Sequence, residues 1–251
     1  MRLAVLGAHG TWPKPGGATS GYLLSHDGFN LWVDMGTGTL ANLQRHVGLF
    51  DVGAVVISHS HPDHVTDLYA YLFARIFSPE PPPSIPLYVA PKVVERARPL
   101  LSDDTADIAF GQAFQVVEVQ PGETFHMGPF TVRSAPMRHT VPTIGLRAEA
   151  GGVAVAYTAD TGPADEVTDL AKGSDLLLAE ASWQEDGTDR PPIHLSAREA
   201  GEAASRAGAG RLILTHIRPY LDWDLSREEA ARVFEGDVAV AEEGMVLEVG
   251  G

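Results

Sequence analysis

The chain has 251 residues, of which 44 % are hydrophobic and 20 % are charged, values typical of a globular protein and not of a disordered one. It contains no cysteine, so disulfides, thiolate metal sites and cysteine nucleophiles are excluded, and any metal must bind histidine nitrogen or carboxylate oxygen. The net charge of −15, from 18 basic and 33 acidic residues, disfavours a nucleic-acid substrate because a surface of that sign repels polyanions.

The length fits one domain, and the sequence contains no clear linker or internal repeat, so we expect a single domain over residues 1–251. The Pro-rich stretch 79–86 is interpreted as a stiff surface loop within it. No apolar run approaches the roughly 18–20 residues of a membrane span. The apolar start, residues 1–6, is too short for a signal peptide, so we expect a cytoplasmic protein that makes no use of a membrane.

Short strands and tight turns are predicted for the first third of the chain. The Asp27-Gly28 pair lies between two strand-like segments and is a strong hairpin signal. Leu68, Leu72 and Ile76 are four residues apart, the spacing of a helix with one apolar face. The elements predicted here are strands 1–6, 21–24, 29–33 and 52–58 and a helix over 65–77.

The remaining two thirds predict further strands and two capped helices. Ser196 with Glu199, and Ser226 with Glu229, have the spacing of a capping box, so a helix is expected to begin at each serine. Gly151-Gly152 predicts a hairpin turn. The strands predicted are 130–134, 144–150, 153–158, 176–180 and 211–215, with two short ones between 238 and 249.

A histidine cluster, residues 59–64 (His-Ser-His-Pro-Asp-His), follows the predicted buried strand 52–58 directly. His59 and His61 are two residues apart, which puts both imidazoles on one side of an extended segment. Asp63 and His64 follow a proline at the expected start of a helix, where the chain can turn these side chains into the same pocket. Zinc, iron and manganese accept imidazole and carboxylate together, so the histidine cluster predicts a metal site.

Three further residues are candidate ligands, because the histidine cluster cannot complete the shells of two metals. His139, Asp160 and His216 each follow a predicted strand. Strand ends that open into loops are where layered α/β folds carry their chemistry. We therefore expect these three side chains to join the histidine cluster.

The pattern His59-x-His61-x-Asp63-His64, followed by His139, Asp160 and His216, resembles the metallo-β-lactamase-fold hydrolase superfamily over nearly the whole chain. The resemblance implies an αβ/βα sandwich, in which two mixed sheets pack face to face with helices outside. It also implies two divalent metal ions, foremost Zn²⁺ with Mn²⁺ or Fe as alternatives. The implied ligands are His59, His61 and His139 for the first metal, Asp63, His64 and His216 for the second, and a bridging Asp160.

Three residues are expected in supporting or catalytic roles, and for one of them, Asp34, the expectation comes from the same resemblance. Asp34 matches an aspartate that supports the site without binding metal. Asp63 is a metal ligand that can also orient the attacking hydroxide. Glu180 ends a predicted buried strand; it is interpreted either as a carboxylate that orients a histidine or as a structural group unrelated to catalysis.

The segment from His194 to Ala200 is similar to the His-x-Ser-x-x-x-Ala helix of ribonuclease Z and its relatives, and Leu214-Thr215-His216 to their following strand. In that branch the additional histidine gives a proton or hydrogen bond to the phosphate, so the resemblance implies that His194 is catalytic. The alternative is that His194 only stabilises the start of the helix. The chain has no Gly/Pro-rich arm, and its acidic balance lacks the basic patches that tRNA requires, so a tRNA substrate is disfavoured.

Segments 7–13, 18–24 and 32–38 look like a small bacterial group that includes atypical class II cyclic-nucleotide phosphodiesterases. The function expected is hydrolysis of a small phosphodiester such as a cyclic nucleotide. Three alternatives stay open: a lactone, ester or thioester hydrolase, a ribonuclease Z-like nuclease, and a non-catalytic binding protein. The resemblance leaves a homodimer possible. Contacts of His9, Arg218, Tyr220 and the tryptophans with substrate also stay open.

Overall fold

A computed structural model describes residues 1–101, 103–185 and 190–250, with residues 103–105 described by their backbone alone. In this part of the chain, fourteen strands form two sheets of seven strands each. The strands are β1 (Arg2–Gly7), β2 (Gly21–His26), β3 (Phe29–Val33), β4 (Ala54–Ile57), β5 (Ile85–Val89), β6 (Phe114–Glu118), β7 (Thr124–Met127), β8 (Phe130–Pro136), β9 (Ile144–Ala150), β10 (Val153–Tyr157), β11 (Leu176–Glu180), β12 (Arg211–Thr215), β13 (Asp237–Val240) and β14 (Val246–Glu248).

Eight α-helices and one 3₁₀ turn (Arg98–Leu100) connect these strands within the described residues. The helices are α1 (Thr39–Leu43), α2 (Pro62–Val65), α3 (Asp67–Phe77), α4 (Val93–Ala97), α5 (Asp103–Ala113), α6 (Asp165–Ala171), α7 (Ala197–Ala207) and α8 (Trp223–Ala231). Among the described residues, none of these helices combines the length and the apolar character that crossing a bilayer requires.

The two sheets have the same pattern of strand pairing. The first has the order β14-β1-β2-β3-β4-β5-β6, and the second the order β7-β8-β9-β10-β11-β12-β13. In each, four strands pair antiparallel and the fourth begins a parallel run of four. Because the carboxyl ends of parallel strands meet at one edge, each sheet gathers several loops at a single edge.

Alternate residues of β11 show how the layers pack. Leu176 and Leu178 belong to the core that contains residues of both sheets, whereas Leu177 and Ala179 pack with the buried alanines of α7. Successive side chains of a strand point to opposite faces, so a fully apolar strand is buried on both. The result is two mixed sheets face to face with helices outside, and the sandwich expected from the sequence is confirmed.

Two hairpins and one helix start agree with the sequence prediction. Asp27 and Gly28 both have positive φ, 45° and 78°, as the tight turn between β2 and β3 requires. The β9–β10 hairpin turns at Gly151-Gly152. Ser196 caps α7: its hydroxyl accepts the Glu199 N–H at 3.2 Å, while the Glu199 carboxylate accepts the Ser196 N–H at 2.8 Å.

The predicted start of the last helix, at Ser226, is wrong. It begins at Trp223, because the carboxylate of Asp222 accepts the N–H groups of Asp224 and Leu225 at 3.0 and 3.2 Å. Ser226 lies inside the helix, where its hydroxyl donates to the Asp222 carbonyl at 3.2 Å. The N-cap is therefore Asp222, and not the serine of the Ser-x-x-Glu pattern.

Two further boundaries differ from the prediction. The expected helix over 65–77 is two helices, α2 and α3, that meet at Thr66. The Pro-rich loop ends earlier than expected, because β5 starts at Ile85 and Pro86 lies within it. The sequence analysis also missed β6, whose side chains from Gln115 to Glu118 are exposed and lack an apolar alternation.

Candidate metal centre

Loops at the carboxyl ends of strands in both sheets bring the candidate residues together. The histidine cluster follows β4 of the first sheet. Asp160 follows β10 and His216 follows β12 of the second sheet. Asp63 and His64 lie in α2 and the other side chains in loops, each after a buried strand, so the packing of the two sheets sets the geometry of the site.

Four of the predicted ligands form a first group. Ligand atoms of His59, His61, His139 and Asp160 all lie within 4.8 Å of one another. His61 Nδ1 is 3.0 Å from His139 Nε2, and Asp160 Oδ2 is 3.6 Å from both His59 Nε2 and His139 Nε2. Three imidazoles and a carboxylate at this spacing match the donor set of a divalent metal.

Asp63, His64 and His216 form a second group, again with ligand atoms within 4.8 Å of one another. His216 Nε2 is 3.1 Å from Asp63 Oδ2, and His64 Nε2 is 3.9 Å from the same oxygen. Asp160 touches this group as well, because Oδ1 is 3.2 Å from His64 Nε2 and Oδ2 is 3.5 Å from His216 Nε2. Asp160 thus lies between the two groups.

The hydrogen bonds of the imidazoles support a metal site. In the described part of the chain, His59 Nε2, His64 Nε2 and Asp160 Oδ1 are buried without a hydrogen-bond partner, since the 3.2 Å contact of the last two lacks hydrogen-bond alignment. The Nδ1 atoms of two ligand histidines are hydrogen-bonded, which fixes the orientation of their rings. His59 Nδ1 contacts the Ser58 hydroxyl at 3.0 Å, and His139 Nδ1 contacts the Ile193 carbonyl at 3.0 Å. Leaving buried polar atoms unpaired is costly, and divalent cations held by the two ligand groups would satisfy all three.

Asp34 supports the site through four hydrogen bonds and lies outside both ligand groups. Its carboxylate accepts the N–H and hydroxyl of Ser58 at 2.7 and 2.8 Å, and contacts His64 Nδ1 at 2.8 Å. The fourth donor is the Tyr157 hydroxyl at 2.8 Å, from the second sheet. Asp34 therefore contacts the histidine cluster directly at His64 and, through Ser58, at His59.

Burial and neighbouring charges shift the pKa values of the cluster in opposite directions. Desolvation, reinforced by His64, holds the pKa of His59 well below its ordinary value, which keeps the imidazole neutral as a ligand must be. Burial opposes charge on His64 too, but Asp160 and Asp34 raise its pKa well above the ordinary value. Burial would raise the pKa of Asp160, yet His216 and His64 hold it well below the usual range. The negative charge is thus retained inside the site.

Strained backbone is concentrated at the site. Six described residues other than glycine have positive φ, and four of them, Thr11, Asp34, Ala159 and His216, lie at or beside the two ligand groups. The left-handed conformation is unfavourable for residues with a Cβ and persists only where surrounding structure enforces it. The Thr11 N–H donates to Asp63 Oδ2 at 2.9 Å, so this loop is also tied to the second group.

His194 and Glu180 form a buried pair beside the ligands. His194 Nδ1 is 2.8 Å from Glu180 Oε1, and the His194 ring lies 5.0 Å from His139 and 5.5 Å from His216. Burial alone would lower the pKa of His194, but the Glu180 carboxylate raises it to about 9. Glu180 also accepts the Ser182 hydroxyl at 2.8 Å, and that hydroxyl is 2.8 Å from His216 Nδ1. Ser182, which the sequence analysis missed, carries no signal beyond its place after β11.

A pocket of about 410 Å³ opens onto the ligands, and His61, Asp63, His139, Asp160, His194 and His216 line it. Glu180 is not among the lining residues, so it acts on the pocket through His194. A second cavity, of about 500 Å³, lies at the β9–β10 turn and is lined by no histidine. The candidate metal ligands and His194 therefore line the smaller of these two pockets.

The remaining residues left open by the sequence lie at different distances from the pocket. Arg218 lines it, with its guanidinium 3.6 Å above the Trp183 ring, and donates to the Tyr220 hydroxyl at 3.1 Å. His9 is buried away from it, 2.7 Å from Glu243 Oε1, and its ring lies against Trp223. The sequence could not distinguish Arg218, which lines the pocket, from His9, which does not, because both residues follow strands.

Comparisons with known proteins agree with this geometry. The sequence profile of the Beta-lactamase superfamily domain matches residues 30–217. The probable metallo-hydrolase YhfI of Bacillus subtilis is 33 % identical over 99 % of this chain and 100 % of its own length. Its crystal structure superposes with a TM-score of 0.88 over 98 % of this chain and 99 % of that one, at 32 % identity. A ribonuclease Z of Mycobacterium bovis BCG is 29 % identical over 99 % of this chain and 98 % of its own length. The chain therefore belongs to the metallo-β-lactamase superfamily, as a metallo-hydrolase whose His/Asp cluster has the residues and spacing to hold divalent metal.

Proposed function

We propose that the chain is a phosphodiesterase with two metal ions that acts on a small phosphodiester, such as a cyclic nucleotide. His59, His61 and His139 would hold one ion, Asp63, His64 and His216 the other, and Asp160 both. Zn²⁺ is our first choice, because a set of imidazoles and carboxylates without thiolates suits it, as it also suits Mn²⁺ and Fe. When bound, a metal pair lowers the pKa of a water and neutralises charge on the phosphate oxygens.

The observation that carries the proposal is His194 in the pocket wall, paired with Glu180. The Glu180 carboxylate occupies His194 Nδ1, which leaves Nε2 to meet a substrate, and it stabilises the protonated ring. A phosphodiester releases an alkoxide that needs a proton, and a protonated His194 can give that proton from Nε2. We assign Asp63 a second role, because it lines the pocket and its carboxylate can orient the attacking water.

Two further observations favour a small phosphodiester. The relative named ribonuclease Z supports phosphodiester chemistry, because a ribonuclease cleaves phosphodiester bonds. A pocket of about 410 Å³ has the size of a small-molecule site, and the net charge of −15 opposes a long polyanion. For these reasons we expect a cyclic nucleotide to be a better substrate than a tRNA precursor.

The test is the His194→Ala variant, measured with two substrates. We expect kcat to fall by about 10²–10⁴-fold on a cyclic nucleotide, because a sugar alkoxide leaves poorly without an acid. The loss should be smaller on bis-p-nitrophenyl phosphate, whose nitrophenolate leaves without a proton. Metal content, measured on the same samples, should stay at the level of the unsubstituted protein.

His126→Ala is the matched control, because His126 is exposed on β7 and does not line the pocket. Its activity should equal that of the unsubstituted protein. If His194→Ala keeps its metal and loses activity on neither substrate, the proton-donor role is wrong. If the unsubstituted protein hydrolyses a lactone or thioester and no phosphodiester, the proposed function is wrong.

A further inference from the structure

Two exposed aromatic side chains stack on each other beside the metal pocket. The rings of Trp12 and Tyr220 have centroids 5.9 Å apart and an interplanar angle of 27°. Trp12 is 48 % exposed and Tyr220 is 63 % exposed, so each ring keeps an open face. Exposed aromatic surface of this kind costs free energy in the free protein and often marks a binding site.

Both rings are connected to the pocket at short range. Trp12 follows Thr11, which lines the pocket and is held to the Asp63 carboxylate by its N–H at 2.9 Å. Tyr220 is connected through Arg218, another lining residue, which donates to its hydroxyl at 3.1 Å. The backbone just before Trp12 and the hydroxyl of Tyr220 are therefore both tied to residues that line the pocket.

Arg218 itself is fixed by a second aromatic contact. Its guanidinium lies 3.6 Å above the centre of the Trp183 ring, and among the described residues no carboxylate forms an ion pair with it. It is the one Lys or Arg of the described chain that lines this pocket. Arg218 thus lines the same pocket as the metal ligands and contacts Tyr220 of the stacked pair, so it can pair with an anionic group whose flat appendage reaches the rings.

We propose that Trp12 and Tyr220 form a stacking platform for the base of a nucleotide substrate. Aromatic side chains bind bases through their faces with little dependence on sequence, and this suits a mononucleotide better than a base-free diester. The inference deepens the proposed phosphodiesterase function and rests on it for the reaction. The binding of a nucleoside phosphate tests it without any turnover.

The experiment compares AMP with ribose 5-phosphate, which differ by the base alone, in calorimetric titrations of the metal-loaded protein. We expect the unsubstituted protein to bind AMP at least about tenfold more tightly. Trp12→Ala and Tyr220→Ala should each weaken AMP about tenfold and leave ribose 5-phosphate unchanged. Trp12→Phe should restore most of the AMP affinity, because it keeps a stacking face.

Phe77→Ala is the matched control, because Phe77 is 75 % exposed and stacks on Phe73 at 5.7 Å on α3, outside the pocket. It should bind both ligands as the unsubstituted protein does. Equal affinity for the two ligands in the unsubstituted protein, or an equal loss of both in the alanine variants, overturns the platform even if diesters are hydrolysed. Conversely, base-dependent binding without hydrolysis of any phosphodiester supports the platform and overturns the proposed reaction.

Discussion

The two halves of the molecule share one strand pattern but contribute to the metal centre in different ways. The first half contributes a single local segment, the histidine cluster after β4. The second contributes His139, Asp160 and His216 from three loops that are far apart in the chain. A local turn can form its geometry early, whereas the dispersed ligands meet only once the second sheet is assembled. Metal binding should therefore depend on sheet packing mainly through the second half.

Asp34 and Asp160 make the comparison sharper. Each lies just beyond the fourth strand of its sheet, β3 or β10, and positive φ is found at Asp34 itself and at Ala159, the residue before Asp160. Asp34 has four hydrogen-bond donors, while Asp160 keeps an unpaired buried oxygen. The two carboxylates occupy equivalent places in the two sheets but differ in their hydrogen bonds. Asp34 is fully hydrogen-bonded, whereas Asp160 has an oxygen that is available to a cation.

The largest expected effect on metal binding and turnover comes from substituting Asp160, and Asp34 provides the comparison. Asp160→Asn should lose at least one metal ion per chain and about 10³-fold in turnover, because it removes the charge shared by both ligand groups. Asp34→Asn should keep the ligands and weaken metal affinity by about 10–100-fold. Elemental analysis and a metal titration measure the two effects. Equal losses in the two variants would contradict the distinction between the carboxylates.

An intermediate effect is expected from Glu180→Gln, which tests whether the Glu180 carboxylate acts on the pocket through His194. Turnover should fall by about 10–100-fold with metal retained, because His194 loses the charge that orients and protonates it. The raised pKa of His194 means that an acid role is lost as pH rises through that pKa. Without the carboxylate that pKa falls, so the alkaline limb of the kcat profile should move to lower pH. An unmoved limb would show that another group controls it.

The smallest effect is expected from a bond between the two halves. Tyr157→Phe removes the hydroxyl that donates to Asp34 at 2.8 Å across the sheets, and should lower the free energy of unfolding by about 1.5–3 kcal/mol. Tyr22→Phe removes a neutral contact with the Thr215 hydroxyl at 2.7 Å and should cost about 1 kcal/mol. Urea unfolding of both variants checks the order, and a larger loss in Tyr22→Phe would contradict it.

The sequence predicts the local half of the site better than the dispersed half. The histidine cluster is contiguous and follows an apolar run, so residue order alone indicates its geometry. His139, Asp160 and His216 were candidates because each follows a predicted strand, but only the resemblance assigned them to particular metals, because their meeting depends on strand order. Ser182 was missed, since a small polar residue after a strand has no distinctive pattern. β6 was missed because its exposed side chains do not alternate, and the start of α8 because Asp222 was not weighed against Ser226.

The path of β13 and β14 has a consequence for the order of assembly during synthesis. These strands follow each other in the chain, yet β13 completes the second sheet and β14 pairs with β1 in the first. The histidine cluster leaves the ribosome early, but the first sheet lacks its edge strand until residues near 246–248 are made. His216 arrives almost as late. The nascent chain should therefore expose an incomplete set of metal ligands until His216 has left the ribosome, and metal loading should follow that point.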